Sequence, residues 1–105
     1  MELKLFWTNF SQKEIEKIYK YYREKAGSRI AKKIVIGIYN ETLKLQRQPK
    51  IGQTEELLKS RKQEFRYLIY KNYKVIYWIN DKENRIEISD VFDTRQNPIK
   101  IERKK

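Results

Sequence analysis

Residues 64–92 read EFRYLIYKNYKVIYWINDKENRIEISDVF, and the alternation within them decides the fold. Three short runs alternate apolar with polar side chains, and turn residues separate them. In residues 64–70, Phe65, Tyr67 and Ile69 fall on one face, and Arg66, Leu68 and Tyr70 on the other. Lys71-Asn72 is short enough for a tight hairpin. In residues 73–79, Tyr73, Val75, Tyr77 and Ile79 oppose Lys74, Ile76 and Trp78. Residues 80–84 are a turn by composition. In residues 85–92, Ile86 and Ile88 point inward, while Val91 and Phe92 are adjacent, so strict alternation breaks and a bulge is predicted. The stretch predicts a three-strand antiparallel meander.

Upstream, residues 2–7 alternate in the same way and predict a first strand. Ser11-Gln12-Lys13-Glu14 matches a capping box. Ile15, Ile18, Tyr19 and Tyr22 then recur at helical spacing. Ala26-Gly27 ends that helix, and Ser28 is placed to cap a second. On the second helix, Ala31, Ile34, Val35, Ile38, Thr42 and Leu45 form one stripe. Ile36, Tyr39 and Leu43 form another, which predicts a second neighbour, either the first helix or a partner chain. Pro49 and Gly52 stop the helix. Residues 50–63 form a polar, basic loop with one helical turn at 55–59, and about 99–105 is a basic, loose tail. The whole of 1–105 thus reads as one α+β domain: an N-terminal strand, a two-helix hairpin, and a three-strand antiparallel meander. The helices are expected to pack on one sheet face, leaving Arg66, Lys74 and nearby aromatics on the other.

Composition narrows the chemistry. The formal net charge is +11 in 105 residues, which favours a polyanion or an acidic partner. With no cysteine and no histidine, thiolate nucleophiles, disulfides and the commonest metal ligands are absent. Glu87, Asp90 and Asp93 follow no ligand spacing, so no metal or other cofactor is expected. The N-terminus lacks a signal-peptide pattern and no run is apolar enough for a bilayer, so a cytoplasmic location without membrane association is expected.

A sheet face bearing cations among aromatics suits nucleic acid. Tyr67, Tyr73 and Tyr77 are read instead as core. Arg61 and Lys62 in the loop, with Tyr70, are candidates for contact with nucleic acid or another target, although loop cations are commonly just solvated. RNA cleavage without histidine or metal would need cations around the phosphorane and a shifted Lys, Tyr or carboxylate to move protons. Arg66, Lys74 and Arg95 are the candidates for such a site.

The segment Ile86-Glu87-Ile88-Ser89-Asp90-Val91-Phe92-Asp93-Thr94-Arg95-Gln96-Asn97-Pro98 resembles the C-terminal signature of the RelE/ParE family of bacterial toxins. Arg66-Tyr67-Leu68-Ile69 and Tyr73-Lys74-Val75-Ile76-Tyr77 resemble that family's central hairpin, and Pro49-x-x-Gly52 is a third match. The resemblance spans nearly the whole chain in the same order. It implies a type II toxin neutralised by an acidic cognate antitoxin, and it makes Ile36, Tyr39 and Leu43 the antitoxin-binding stripe. Two modes of action are open, beside the plainer alternative of a non-toxic basic nucleic-acid-binding domain. RelE-like members cut ribosome-bound mRNA, and Arg66, Lys74 and Arg95 match their basic positions. ParE-like members inhibit DNA gyrase by protein contact. Leu68 stands where RelE-like members carry a second sheet lysine, and no Tyr follows Arg95; Ile101 lies near that place. These departures favour the ParE-like pattern.

Overall fold

The computed structural model describes residues 2–102. The meander is present as β3 (Arg66–Tyr70), β4 (Tyr73–Asn80) and β5 (Arg85–Asp93). Before it come β1 (Lys4–Trp7), the helices α1 (Asn9–Ala26) and α2 (Ser28–Leu43), and a two-residue β2 (Gln53–Thr54). The sheet order is β1-β5-β4-β3-β2. The sheet is mixed, because β1 pairs parallel with β5, Leu5 opposite Ile86. A parallel pair needs a crossover rather than a hairpin, and the helix pair supplies part of it. The strand β2, which lies inside the stretch read as loop, adds antiparallel to β3.

Helix ends differ from the capping pattern read above. Thr8, not Ser11, caps α1: its Oγ1 accepts from the Ser11 amide at 3.1 Å. Ser11 is buried one turn inside and donates back to the Thr8 carbonyl. Gly27 separates the helices with φ 94°, a conformation that disfavours side chains, and its amide closes α1 on the Arg23 carbonyl. Ser28 is the first residue of α2 and makes no side-chain cap.

The main core lies between the helices and one sheet face. Ile15, Ile18, Ile34 and Ile38 meet Tyr73, Val75, Tyr77, Ile86, Ile88 and Val91. A bulge opposite Ile76/Tyr77 leaves Ser89 unpaired between Ile88 and Asp90. The parity of β5 therefore changes at Ser89, so that Ile88 and Val91 both face the helices. The irregularity expected at Val91–Phe92 sits two residues earlier; those two side chains simply point to opposite faces.

The second sheet face is not left open. Leu58, Phe65, Ile76, Phe92 and Ile101 form a smaller core there, with Tyr67 and Trp78 at its margin. Two short 3-10 turns, Glu56–Leu58 and Pro98–Glu102, bring Leu58 and Ile101 onto it. The expected loose tail is thus pinned as far as Ile101, which is fully buried. Residues 103–105 of that expectation lie outside the described residues. Among the described residues no helix is long and apolar enough to cross a membrane.

Candidate functional site

The three cations singled out for catalysis occupy different surroundings. The register sets Arg66 opposite Tyr77, and Ile69 opposite Lys74. With a two-residue side-chain period, Arg66 then shares the helix-side face with Leu68 and Tyr77, while Lys74 points from the other face. Their expected common face is therefore corrected: an antiparallel pair joined by a two-residue turn places position 66 level with 77, not with 74 or 76.

Arg66 serves the loop that follows α2. Its Nη1 donates to the Gly52 carbonyl at 2.9 Å and to the Lys50 carbonyl at 3.3 Å, and its Nη2 to Glu64 at 2.6 Å. Beside it, the buried Tyr77 hydroxyl accepts from the Gly52 amide at 2.9 Å and donates to the Pro49 carbonyl at 2.8 Å. Burial raises the Tyr77 pKa, partly offset by the Gly52 amide. A Cβ at Gly52 would lie 2.6 Å from Tyr77 Oη and 2.7 Å from the Tyr67 carbonyl. Pro49-x-x-Gly52 is therefore a loop fastened by Tyr77 and Arg66, and only glycine fits where the fastening is closest.

Lys74 serves the second core. Its Nζ donates to Glu55 Oε1 at 2.7 Å and lies 4.3 Å from the centroid of the Tyr67 ring. Glu55 is only 3% exposed and also accepts from the Leu57 amide at 3.1 Å. The pair latches the 3-10 turn Glu56–Leu58 to β4. Arg61, from the same loop, donates to the Glu102 carbonyl at 2.9 Å, tying loop to tail. Lys62 is exposed nearby.

Arg95 lies beyond β5 and forms a forked pair with Asp93, Nη2 to Oδ2 at 2.8 Å and Nε to Oδ1 at 3.0 Å. Asp93 also accepts from Asn72 at 3.0 Å and from the Arg95 amide at 2.9 Å. The Arg95 side chain is the chief reason that the Asp93 pKa is lowered. Arg95 lines a pocket with Tyr73, Lys17 and Gln96, at the start of β4 and four residues along the strand from Tyr77. Tyr73 has its pKa raised, first by burial and then by the Tyr22 hydroxyl. The structure thus does not bring Arg66, Lys74 and Arg95 together. Tyr70 lies apart from Arg61 and Lys62, with its ring against α2 at Gly37, where a Cβ would overlap its hydroxyl.

The second stripe of α2 is exposed. Ile36 is 55%, Tyr39 38% and Leu43 53% accessible, although all three are large and apolar. The Tyr39 ring packs on Trp7 of β1 with centroids 4.6 Å apart, so the stripe reaches the edge of the sheet. Sequence reading missed the loop fastening and the second core. The signal for the core was present: Val75, Ile76 and Tyr77 form a continuous apolar run, as in a strand buried on both faces.

The fold defines a small basic α+β domain: a helix hairpin on a mixed sheet, with Arg66, Lys74 and Arg95 apart from one another and one helix face uncovered. Residues 5–98 match the family described as the ParE toxin of the type II toxin–antitoxin system, parDE, and the chain belongs to that family. A solved chromosomal ParDE toxin–antitoxin system from P. aeruginosa has the same fold, with a TM-score of 0.72. It is 19% identical, and the alignment covers 88% of this chain and 96% of that one. No curated protein sequence matches.

Proposed function

We propose that this toxin acts by protein contact on DNA gyrase, and that an acidic cognate antitoxin neutralises it by covering the stripe of Ile36, Tyr39 and Leu43. The observation that carries the reading is that stripe. Three large apolar side chains in a row on one helix are a surface that a partner stabilises by burial, about 25 cal/mol for each Å² removed from water. The net charge of +11 favours an acidic chain as that partner. Contact rather than cleavage fits the cations. A metal-independent endoribonuclease needs charge gathered around one phosphodiester. Arg66 and Lys74 are instead on opposite faces of the sheet and Arg95 lies beyond the end of β5, each paired with its own carboxylate.

The test is pulse labelling after induction without antitoxin. Thymidine incorporation should fail before amino-acid incorporation. Earlier collapse of amino-acid incorporation would make the protein a translation toxin and sink the gyrase reading. The antitoxin half is tested separately, by copurification with the product of the adjacent gene; no complex, with the fold intact, would overturn it.

A further inference from the structure

The helix hairpin holds a concentration of charge beside, and largely separate from, the apolar stripe of Ile36, Tyr39 and Leu43. Between Lys20 and Lys33 there are six cations and one carboxylate, which is +5 of the net +11. Three of them, Arg29, Lys32 and Lys33, converge on a groove between α2 and Tyr70 at the end of β3. The groove exists because Gly37 has no side chain, which lets the Tyr70 ring lie against the helix. Lys71, held at φ 53° in the hairpin turn, places its Nζ 5.7 Å from the Tyr70 ring centroid and adds a fourth cation. Eight ion pairs are formed among the described residues, and none includes Arg29, Lys32, Lys33 or Lys71. Every carboxylate-bound cation named above is elsewhere.

We infer that this groove binds the phosphodiester backbone of a nucleic acid, with Arg29, Lys32, Lys33 and Lys71 on successive phosphates and Tyr70 beside a sugar or base. The character of the lining separates this ligand from an acidic peptide. Arg and Lys only donate, and the remaining polar side chains, Ser28, Asn40 and the Tyr70 hydroxyl, can also donate. Phosphate oxygens only accept, whereas a peptide brings an N–H with every carbonyl. A peptide site also needs apolar anchors. Those lie further along α2, with only Ile36 shared between stripe and groove. Arg29 and Lys33 are one turn apart, about 6 Å along the helix axis, so two phosphates can be met at once.

The inference is independent of the gyrase reading. It is tested by fluorescence anisotropy with labelled DNA oligonucleotides of about 15 nucleotides, single-stranded and duplex, from about 50 to about 200 mM salt. Four phosphate contacts should give a slope of log affinity against log salt of about −3. The triple variant R29Q/K32Q/K33Q should bring the slope to about −1 and weaken binding more than tenfold. The control K50Q/K59Q/K82Q, with the same charge loss elsewhere, should change affinity less than about threefold. Equal losses in both triples would reduce the groove to net charge and overturn the inference. So would failure of both oligonucleotides while an oligoglutamate peptide binds in a manner sensitive to the groove triple, which would make it an acidic-peptide site. Should the triple not fold by circular dichroism, each single glutamine variant keeps the test, with a slope change of about one apiece.

Discussion

Tyr77→Phe removes one oxygen and leaves two main-chain groups without it. In the wild type that hydroxyl takes the Gly52 amide at 2.9 Å and gives to the Pro49 carbonyl at 2.8 Å. The ring itself stays buried in the main core, so no cavity of consequence opens. A buried polar group stranded by loss of its partner costs about 1–3 kcal/mol. The Gly52 amide is buried and should cost near the middle of that range; the Pro49 carbonyl is nearer solvent and should cost less. The sum is about 2–3 kcal/mol, a large part of a small domain's stability. For a domain near 100 residues it corresponds to a fall in Tm of about 10–20 °C. The assay is urea unfolding with the slope m held as a check on the denatured state, alongside a thermal melt. Gly52→Ala should be at least as damaging, and Tyr77→Phe should not rescue it, because the Tyr67 carbonyl at 2.7 Å remains in the way. A loss below about 0.5 kcal/mol for Tyr77→Phe would refute the fastening, since that is the range of an ordinary surface change.

Other consequences can be measured on the same protein. Lys74→Met strands the buried Glu55 carboxylate; a loss of about 2–3 kcal/mol is expected, discounted for the partly exposed lysine, and E55Q/K74M should recover much of it in denaturant unfolding. Asp93→Asn should destabilise the protein at neutral pH. The lowered Asp93 pKa contributes stability above the unfolded value of about 3.9 that disappears as pH falls through the folded one, so wild type and variant should converge in acid, once the folded carboxylate is protonated. At the other extreme, Tyr73 and Tyr77 hold their protons in the folded state, so stability should fall as pH rises above about 10, where the unfolded chain ionises. Ile36→Asp and Leu43→Asp should each leave unfolding within about 0.5 kcal/mol of wild type yet abolish copurification with the antitoxin; retained copurification would remove the stripe from that interface.

The architecture was legible where periodicity is long enough to speak. The meander, both helices and the inward set Ile15, Ile18, Ile34, Ile38, Val75 and Ile86 follow from spacing alone. The second stripe of α2 was also legible, but spacing left open whether the first helix or a partner covers it; only the structure shows that α1 does not. What escaped was set by pairing rather than pattern. Alternation assigns Arg66 and Lys74 to a face of their own strands, but only the register shows that the two faces are opposite. The helical turn expected at 55–59 is present as Glu56–Leu58, but the two-residue β2 and the turn Pro98–Glu102 are too short to carry any period, and nothing in the pattern showed that Leu58 and Ile101 cover the second face. Arg95 was found as a cation but not as the partner of Asp93, a contact two residues apart that depends on the turn's geometry.

The parallel pairing of β1 with β5 has a temporal side. Leu5 pairs with Ile86, and the Thr8 hydroxyl reaches the Ile88 carbonyl, so β1 waits for β5, the last of the described strands to be made. At 5–20 residues per second, some 80 residues take about 4–16 s to synthesise. Through that interval the edge of β1 and the aromatic pair Trp7 and Tyr39 have no sheet beneath them. Long-range closure of this kind is slow even once the chain is available. The domain is therefore assembled late, and for seconds the apolar stripe of α2 stands exposed on a chain whose sheet is not yet complete.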